Sequence, residues 1–283
     1  MSNGDQMIIW VASYPKSGNT LLRAILSSLL ASEDGTFDNN KLSLIPNFPQ
    51  KRFFEDLTNE RANIKEVSQF WIKAQDKINK NRKLRFLKTH NANSCINKNY
   101  FTNSKNTIGA IYIVRDPRDV LISAARHYDL PIKKTIELMF DEYAHTLPRK
   151  NFEHEMVTFL GWWSYNYNSW INMGHNTLLL KYEDLISNKE KEILKIIKFI
   201  NHFIPLKIDK KKIKNCIKTT SFKNMANKEE EGLFRENAIS QNNEKIKFFN
   251  RGSSGTWQDI LDNTLAQKIE SKFKKEMKKL NYI

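Results

Sequence analysis

The stretch Ser13-Tyr14-Pro15-Lys16-Ser17-Gly18-Asn19-Thr20 gathers the residue types that could bind an anion. Lys16 supplies a full positive charge, Ser17 and Thr20 supply hydroxyls, and Gly18 lets the backbone turn tightly. The apolar run Met7-Ile8-Ile9-Trp10-Val11-Ala12 before it reads as a buried parallel strand, and Leu21 to Leu30 after it reads as a helix. Strand, tight loop and helix in that order make an anion cradle. The loop N–H groups and the first helical turn converge, and the helix dipole favours negative charge there. The loop departs from a nucleotide triphosphatase loop: Lys16 precedes Gly18, and the first glycine of that motif is missing.

Other strings carry candidate chemistry. Leu87-Lys88-Thr89-His90 closes a strand with an imidazole, suited to removing a proton near neutral pH. Arg115 ends another strand, with Ser123 eight residues on. A guanidinium fork fits a phosphate, and a hydroxyl adds a donor. Tyr182-Glu183-Asp184 and Thr220-Ser221-Phe222-Lys223-Asn224-Met225 bring aromatic rings and a thioether beside hydroxyl and charged groups. Asn250-Arg251-Gly252-Ser253-Ser254-Gly255-Thr256-Trp257 is a glycine-rich loop with a cation. Taken singly, each string also has a plain structural reading. Arg115 can pair with Asp119, Phe222 and Met225 can be core, and the Gly-Ser-Ser-Gly loop can be a linker.

Four buried strands are expected, at Met7–Tyr14, Leu84–Thr89, Ile108–Arg115 and Thr177–Tyr182, separated by helical or loop material. Such alternation implies an α/β fold, with a central parallel sheet and helices on both faces in three layers. Ligands then bind beyond the carboxyl ends of the strands, where Lys16, His90, Arg115 and Tyr182 stand. Asp116-Pro117-Arg118-Asp119 reads as a helix start running to about His127, with Asp116 as cap and Pro117 in the first turn. Glu190 to Asn201 and Asp262 to Leu280 read as amphipathic helices. Residues 33–80, with Phe37, Phe48, Phe53, Phe54, Phe70 and Trp71, are taken as an insertion within a single domain spanning 1–283. Aromatics there and between Tyr128 and Phe159 either line an acceptor pocket or fill the core.

Together these strings resemble the soluble sulfotransferases that use 3′-phosphoadenosine 5′-phosphosulfate (PAPS). The resemblance runs from Met7 to about Trp257 and implies a P-loop-like sulfotransferase fold. It implies that the loop Lys16, Ser17, Gly18, Asn19 and Thr20 holds the 5′-phosphosulfate. His90 would be the general base, and Lys88 and Lys16 would steady the transferring sulfuryl oxygens. Arg115, Ser123, Arg251 and Gly252 would grip the 3′-phosphate, with Asn250 where the family usually has an Arg. Tyr182, Ser221, Phe222 and Met225 would surround the adenine. Leu21 stands where the family often has Trp, and Thr256 where it has Asp. The family's C-terminal dimer signature is absent near Gln258, which leaves the oligomeric state open.

The chain has 283 residues and a net charge of +15, from 46 Lys and Arg against 31 Asp and Glu. The excess lies largely in Lys207–Lys218 and Lys272–Lys279, which read as solvated faces or as partners of an anionic ligand. Two cysteines and scattered histidines form no metal-ligand spacing, so no metal is expected, and a reducing, cytoplasmic setting fits. No apolar run is long enough to span a bilayer. Two other classes compete. A small-molecule kinase would need Mg²⁺ and a Gly-Lys-Ser/Thr loop. A basic nucleic-acid-binding protein would need cations interleaved with aromatics, which Lys207–Lys218 lacks. The favoured reading is sulfuryl transfer from PAPS to a hydroxyl or amine of a small-molecule acceptor, with no nucleic-acid or membrane partner.

Overall fold

The computed structural model describes residues 7–149, 152–173, 176–233, 238–239, 245–249, 252 and 254–283. Its main sheet has four strands: Ile8–Ala12 (β1), Arg85–Thr89 (β2), Thr107–Val114 (β3) and Thr177–Lys181 (β4). They lie in the order β2-β1-β3-β4, and β1 runs parallel to both neighbours, with Ile8 beside Arg85 and Thr107. All five residues of β1 are fully buried, as its unbroken apolar run requires of a central parallel strand. The expected strands are all present: three have shorter ends, and β3 keeps its expected length but begins and ends one residue earlier. Ser13 is past β1 but still donates its N–H to the Thr89 carbonyl at 3.3 Å, and Tyr182 opens a helix instead of closing β4.

The helices that bear on the site are Asn19–Ala31 (α1), Trp71–Asn79 (α2), Pro117–His127 (α3), Trp163–Ile171 (α4), Tyr182–Ser187 (α5), Lys189–Asn201 (α6), Lys210–Thr219 (α7) and Phe222–Glu230 (α8). The C-terminal segment forms Asn263–Lys272 (α9) and Lys274–Lys279 (α10). A single helix from Asp262 to Leu280 is expected from sequence. It is broken at Phe273, whose backbone (φ −112°, ψ 21°) leaves the helical region while its ring is fully buried. Asp262 does cap α9, accepting from the Leu265 N–H. In α6 the isoleucine stripe is buried at Ile193, Ile196 and Ile200.

The chain divides into two compact units. The first comprises 1–14, 45–113 and 139–179; the second comprises 15–44, 114–138 and 180–283. The boundary at Leu44/Ile45 falls inside the segment read as an insertion, so its aromatics serve two cores. In the first unit Phe48, Phe54, Phe101, Trp71 and Trp170 are fully buried. Trp10 of β1 packs there against Phe101 (5.0 Å between ring centres), Phe48 (5.4 Å) and Trp170 (6.0 Å). The Trp10 indole N–H donates to the Thr107 hydroxyl at 2.7 Å. Thr107 lies 2.6 Å from Thr102, which donates to the Gln75 amide oxygen at 2.6 Å, so every hydroxyl in the chain is used. Phe37 instead joins Ala24, Leu42 and Met225 in the second unit. These aromatics fill cores.

Phe101 touches Trp10, Phe48, Trp71 and Trp170. Phe101→Ala should therefore lower the unfolding free energy by about 3–5 kcal/mol, measured by chemical denaturation.

Candidate functional site

In the second unit the loop from Pro15 leads directly into α1. Lys16 adopts a left-handed backbone (φ 64°) and Gly18 another (φ 99°), turning the loop sharply into α1. A non-glycine residue held there is the kind of strain that collects at ligand sites. No side chain caps α1 at Gly18. Ser17 is fully buried, and its Oγ has no hydrogen-bond partner among the described residues. An orphaned hydroxyl beside an uncapped helix start is a costly arrangement unless something polar binds there. Asn19 and Thr20 form the first turn of α1 and are buried. The Lys16 ammonium lies 4.1 Å from the centre of the Phe248 ring.

Arg115 follows β3 directly, and its side chain is only 12 % exposed. Its guanidinium stands 4.5 Å from the Tyr182 ring centre, donates to the Lys16 carbonyl at 3.4 Å and lies 3.9 Å from the Asp119 carboxylate. The expected helix start is real: Asp116 accepts from the Arg118 N–H and Pro117 occupies the first turn of α3. Ser123 is half-buried on α3, one helical turn beyond Asp119. Burial raises the Tyr182 hydroxyl above its ordinary pKa, so the ring acts as a neutral platform. Burial also raises the carboxyls of Asp116 and Glu183. Glu183 accepts from the Asp116 N–H and from the Tyr282 hydroxyl, both at 2.9 Å.

Two residues do more than their sequence context suggested. Asp119 is fully buried, and it accepts from the Gly255 N–H (2.7 Å), the Thr256 hydroxyl (3.0 Å) and the Trp257 N–H (3.1 Å). Arg118 sits 3.8 Å over the Trp257 ring while bonding Asp116, Glu270 and the Tyr282 carbonyl. The Gly255–Trp257 end of the glycine-rich string is thus pinned to α3. The hydroxyl of Thr256 is a donor toward Asp119, which an ionised Asp at that position would not be.

Of the adenine candidates, Ser221 caps α8 by accepting from the Asn224 N–H at 3.4 Å. Phe222 is 38 % exposed and lies so close to Gly252 that a Cβ there would come within 2.1 Å of its ring. Gly252 also has φ 64°, so only glycine suits the position. Met225 is 1 % exposed, packed with Ala24, Phe37 and Leu42. Its side chain joins that core cluster, the plain structural reading that the sequence leaves open for it. Sequence reading missed Phe248 and Phe249, which pack on that same cluster with Leu21. Their N–H groups are held by the Glu229 carboxylate at 2.5 and 2.8 Å. The available signal was their position just before the Asn250-Arg251-Gly252 string. Asn250 and Arg251 lie outside the described residues.

His90 and Lys88 belong to the first unit. Lys88 lies in β2, and its backbone bonds Pro46 and Phe48 at 2.8 Å, so that segment covers the strand's outer edge. The His90 Nδ1 is 2.8 Å from the Ser13 carbonyl oxygen. Among the described residues no three His, Cys, Asp or Glu side chains group to hold a metal ion. None of the described helices is long and apolar enough to cross a membrane.

A family model described as the sulfotransferase domain matches residues 7–281, and the chain belongs to that family. It is 25 % identical over 278 residues to Sulfotransferase 1B1 of Mus musculus, covering 95 % of this chain and 82 % of that protein. Two solved structures share its fold. A mouse sulfotransferase complexed with PAP gives a TM-score of 0.58 at 19 % identity, covering 97 % of this chain and 85 % of that one. Retinol dehydratase in a complex with retinol and PAP gives 0.61 at 21 % identity, covering 96 % and 81 %. The fold is thus the P-loop-like α/β fold of sulfotransferases, and the enzyme class is sulfotransferase, not kinase.

Asp119→Ala removes three hydrogen bonds to a buried carboxylate. The variant should lose about 2–3 kcal/mol of stability in a denaturant titration, with protease cleavage near Gly255 appearing at lower protease concentration.

Proposed function

We propose that this protein moves the sulfuryl group of PAPS to a hydroxyl or amine of a small-molecule acceptor and releases 3′-phosphoadenosine 5′-phosphate (PAP). The observation that carries this is the buried, unpartnered Ser17 hydroxyl in a strained loop that opens into an uncapped helix. Family membership across residues 7–281 supports it, as does the binding of PAP stated for both solved neighbours. The match spans both compact units, which supports one catalytic domain over 1–283.

The donor supplies the activated sulfur. In this reading the loop Lys16 to Thr20 holds its 5′-phosphosulfate, and Lys16 and Lys88 balance charge on the sulfuryl oxygens. Arg115 and Ser123, with Arg251, Gly252 and Asn250, hold the 3′-phosphate. Tyr182 and Phe222 offer ring faces to the adenine, and Ser221 fixes the helix that presents Phe222. His90 takes the proton from the acceptor as its oxygen or nitrogen attacks sulfur in line with the leaving phosphate. A new bond to sulfur forms, the bond from sulfur to the phosphate oxygen breaks, and PAP leaves. The protein's share is therefore positioning and preorganised charge. Two unbridged cysteines, Cys95 exposed and Cys216 buried, fit a reducing cytoplasmic setting. Both lysine-rich segments present exposed ammonium groups on their helices, so their charge reads as a solvated face, and no nucleic-acid partner is invoked.

Calorimetry should detect PAP binding to the purified protein, and absence of binding would sink the reading. His90→Ala should bind PAP as the unsubstituted protein does but turn over ~10²–10⁴-fold more slowly. Lys16→Ala should lower turnover by about 10²–10³. Because protein cations carry the charge, sulfation of a panel of alcohols, phenols, amines and sugars should persist in EDTA.

A further inference from the structure

The setting of His90 in the first unit determines which of its ring nitrogens is basic. Nδ1 lies 2.8 Å from the Ser13 carbonyl oxygen and 3.1 Å from the Ser13 hydroxyl oxygen. A carbonyl oxygen only accepts, so Nδ1 must carry the proton. Neutral imidazole has one ring proton, and the bond made at one nitrogen sets the role of the other. The lone pair therefore resides on Nε2. With Nδ1–H directed at the carbonyl, the Ser13 hydroxyl oxygen is placed as a second acceptor for the same proton.

The main chain of His90 is held just as firmly. The Asn166 amide, fully buried on α4, donates to the His90 carbonyl and to the Leu160 carbonyl, both at 3.0 Å. Its oxygen accepts from the Tyr112 hydroxyl at 2.9 Å. Burial raises the Tyr112 pKa well above its ordinary value, so that hydroxyl remains a donor. Asn166 therefore has every polar atom engaged, and its amide cannot flip without turning its oxygen onto the His90 and Leu160 carbonyl oxygens, which only accept.

We infer that Ser13 is a positioning residue: its carbonyl and hydroxyl hold His90 as the Nδ1–H tautomer and make Nε2 the basic atom. This rests on the sulfotransferase reading for its catalytic consequence. The acceptor's proton then goes to Nε2 as the bond to sulfur forms. The imidazolium that results keeps its Nδ1–H on the same two oxygens, so no ring movement is needed after the transfer.

The test has a readout that does not depend on turnover. Protein labelled with ¹⁵N-histidine, with His90 assigned by the resonances lost in His90→Gln, reports the protonation of each ring nitrogen. At a pH where the ring is neutral, Nδ1 should show the protonated, pyrrole-type shift and Nε2 the unprotonated, pyridine-type shift. The hydroxyl's share is read from kinetics. Ser13→Ala should lower kcat about fivefold, the worth of one neutral hydrogen bond, with unchanged PAP affinity, and Ser13→Thr should restore it. A pyrrole-type Nε2, or a Ser13→Ala enzyme with unaltered kcat, would overturn the inference. A chain that shows the expected tautomer but neither binds PAP nor sulfates any acceptor would overturn the functional reading and leave the tautomer standing.

Discussion

The Asp119 carboxylate is the contact on which the candidate donor site depends. It is fully buried in the first turn of α3 and accepts three hydrogen bonds from Gly255, Thr256 and Trp257. It also stands within ion-pair distance of Arg115. A buried charge survives only when neighbours satisfy it, so the loop around Gly255 is obliged to stay where its N–H groups meet that carboxylate. Arg118 extends the constraint by stacking on Trp257 and bonding Asp116, Glu270 and the Tyr282 carbonyl. The Gly255–Trp257 end of the glycine-rich string is thereby tied to the helix that starts next to Arg115.

Arg115 shows what such a frame accomplishes. A guanidinium in water would sample many rotamers. Here the Tyr182 ring, the Lys16 carbonyl and Asp119 restrict it from three sides. A cation already held in place has less freedom to lose when it meets an anion. The burial of Asp116 and Glu183 belongs to the same frame. Each carboxyl has a raised pKa from burial, and each is retained because it caps or braces the start of α3.

Several features were legible in the residue string because local physics dictates them. Five consecutive apolar residues ahead of a turn, three of them β-branched, read as a strand buried on both faces. Asp116-Pro117 can hardly avoid starting a helix, since one side chain caps and the other has no N–H to satisfy. Lys16 to Gly18 before Leu21-Leu22 marks a tight turn into a helix, and Lys88-Thr89-His90 marks the end of a strand. The partners that pack on Met225 and the break at Phe273 were not legible. Whether a thioether lies in a core or on a ligand depends on what packs over it from elsewhere in the chain, here Ala24, Phe37 and Leu42. The break at Phe273 likewise follows from burying its ring, which helical periodicity alone does not encode.

Covalent order and side-chain chemistry therefore determined the family, the strand-loop-helix cradle and the identity of its charged groups, because those properties reside in neighbouring residues. Tertiary structure alone decided that Asp119 holds a loop 136 residues away, that Phe248 lies against Lys16, and that the Ser13 carbonyl meets the Nδ1 of His90. Hydrogen bonds and ring contacts act over a few ångströms. Which distant residues come within that range is settled only when the chain has packed.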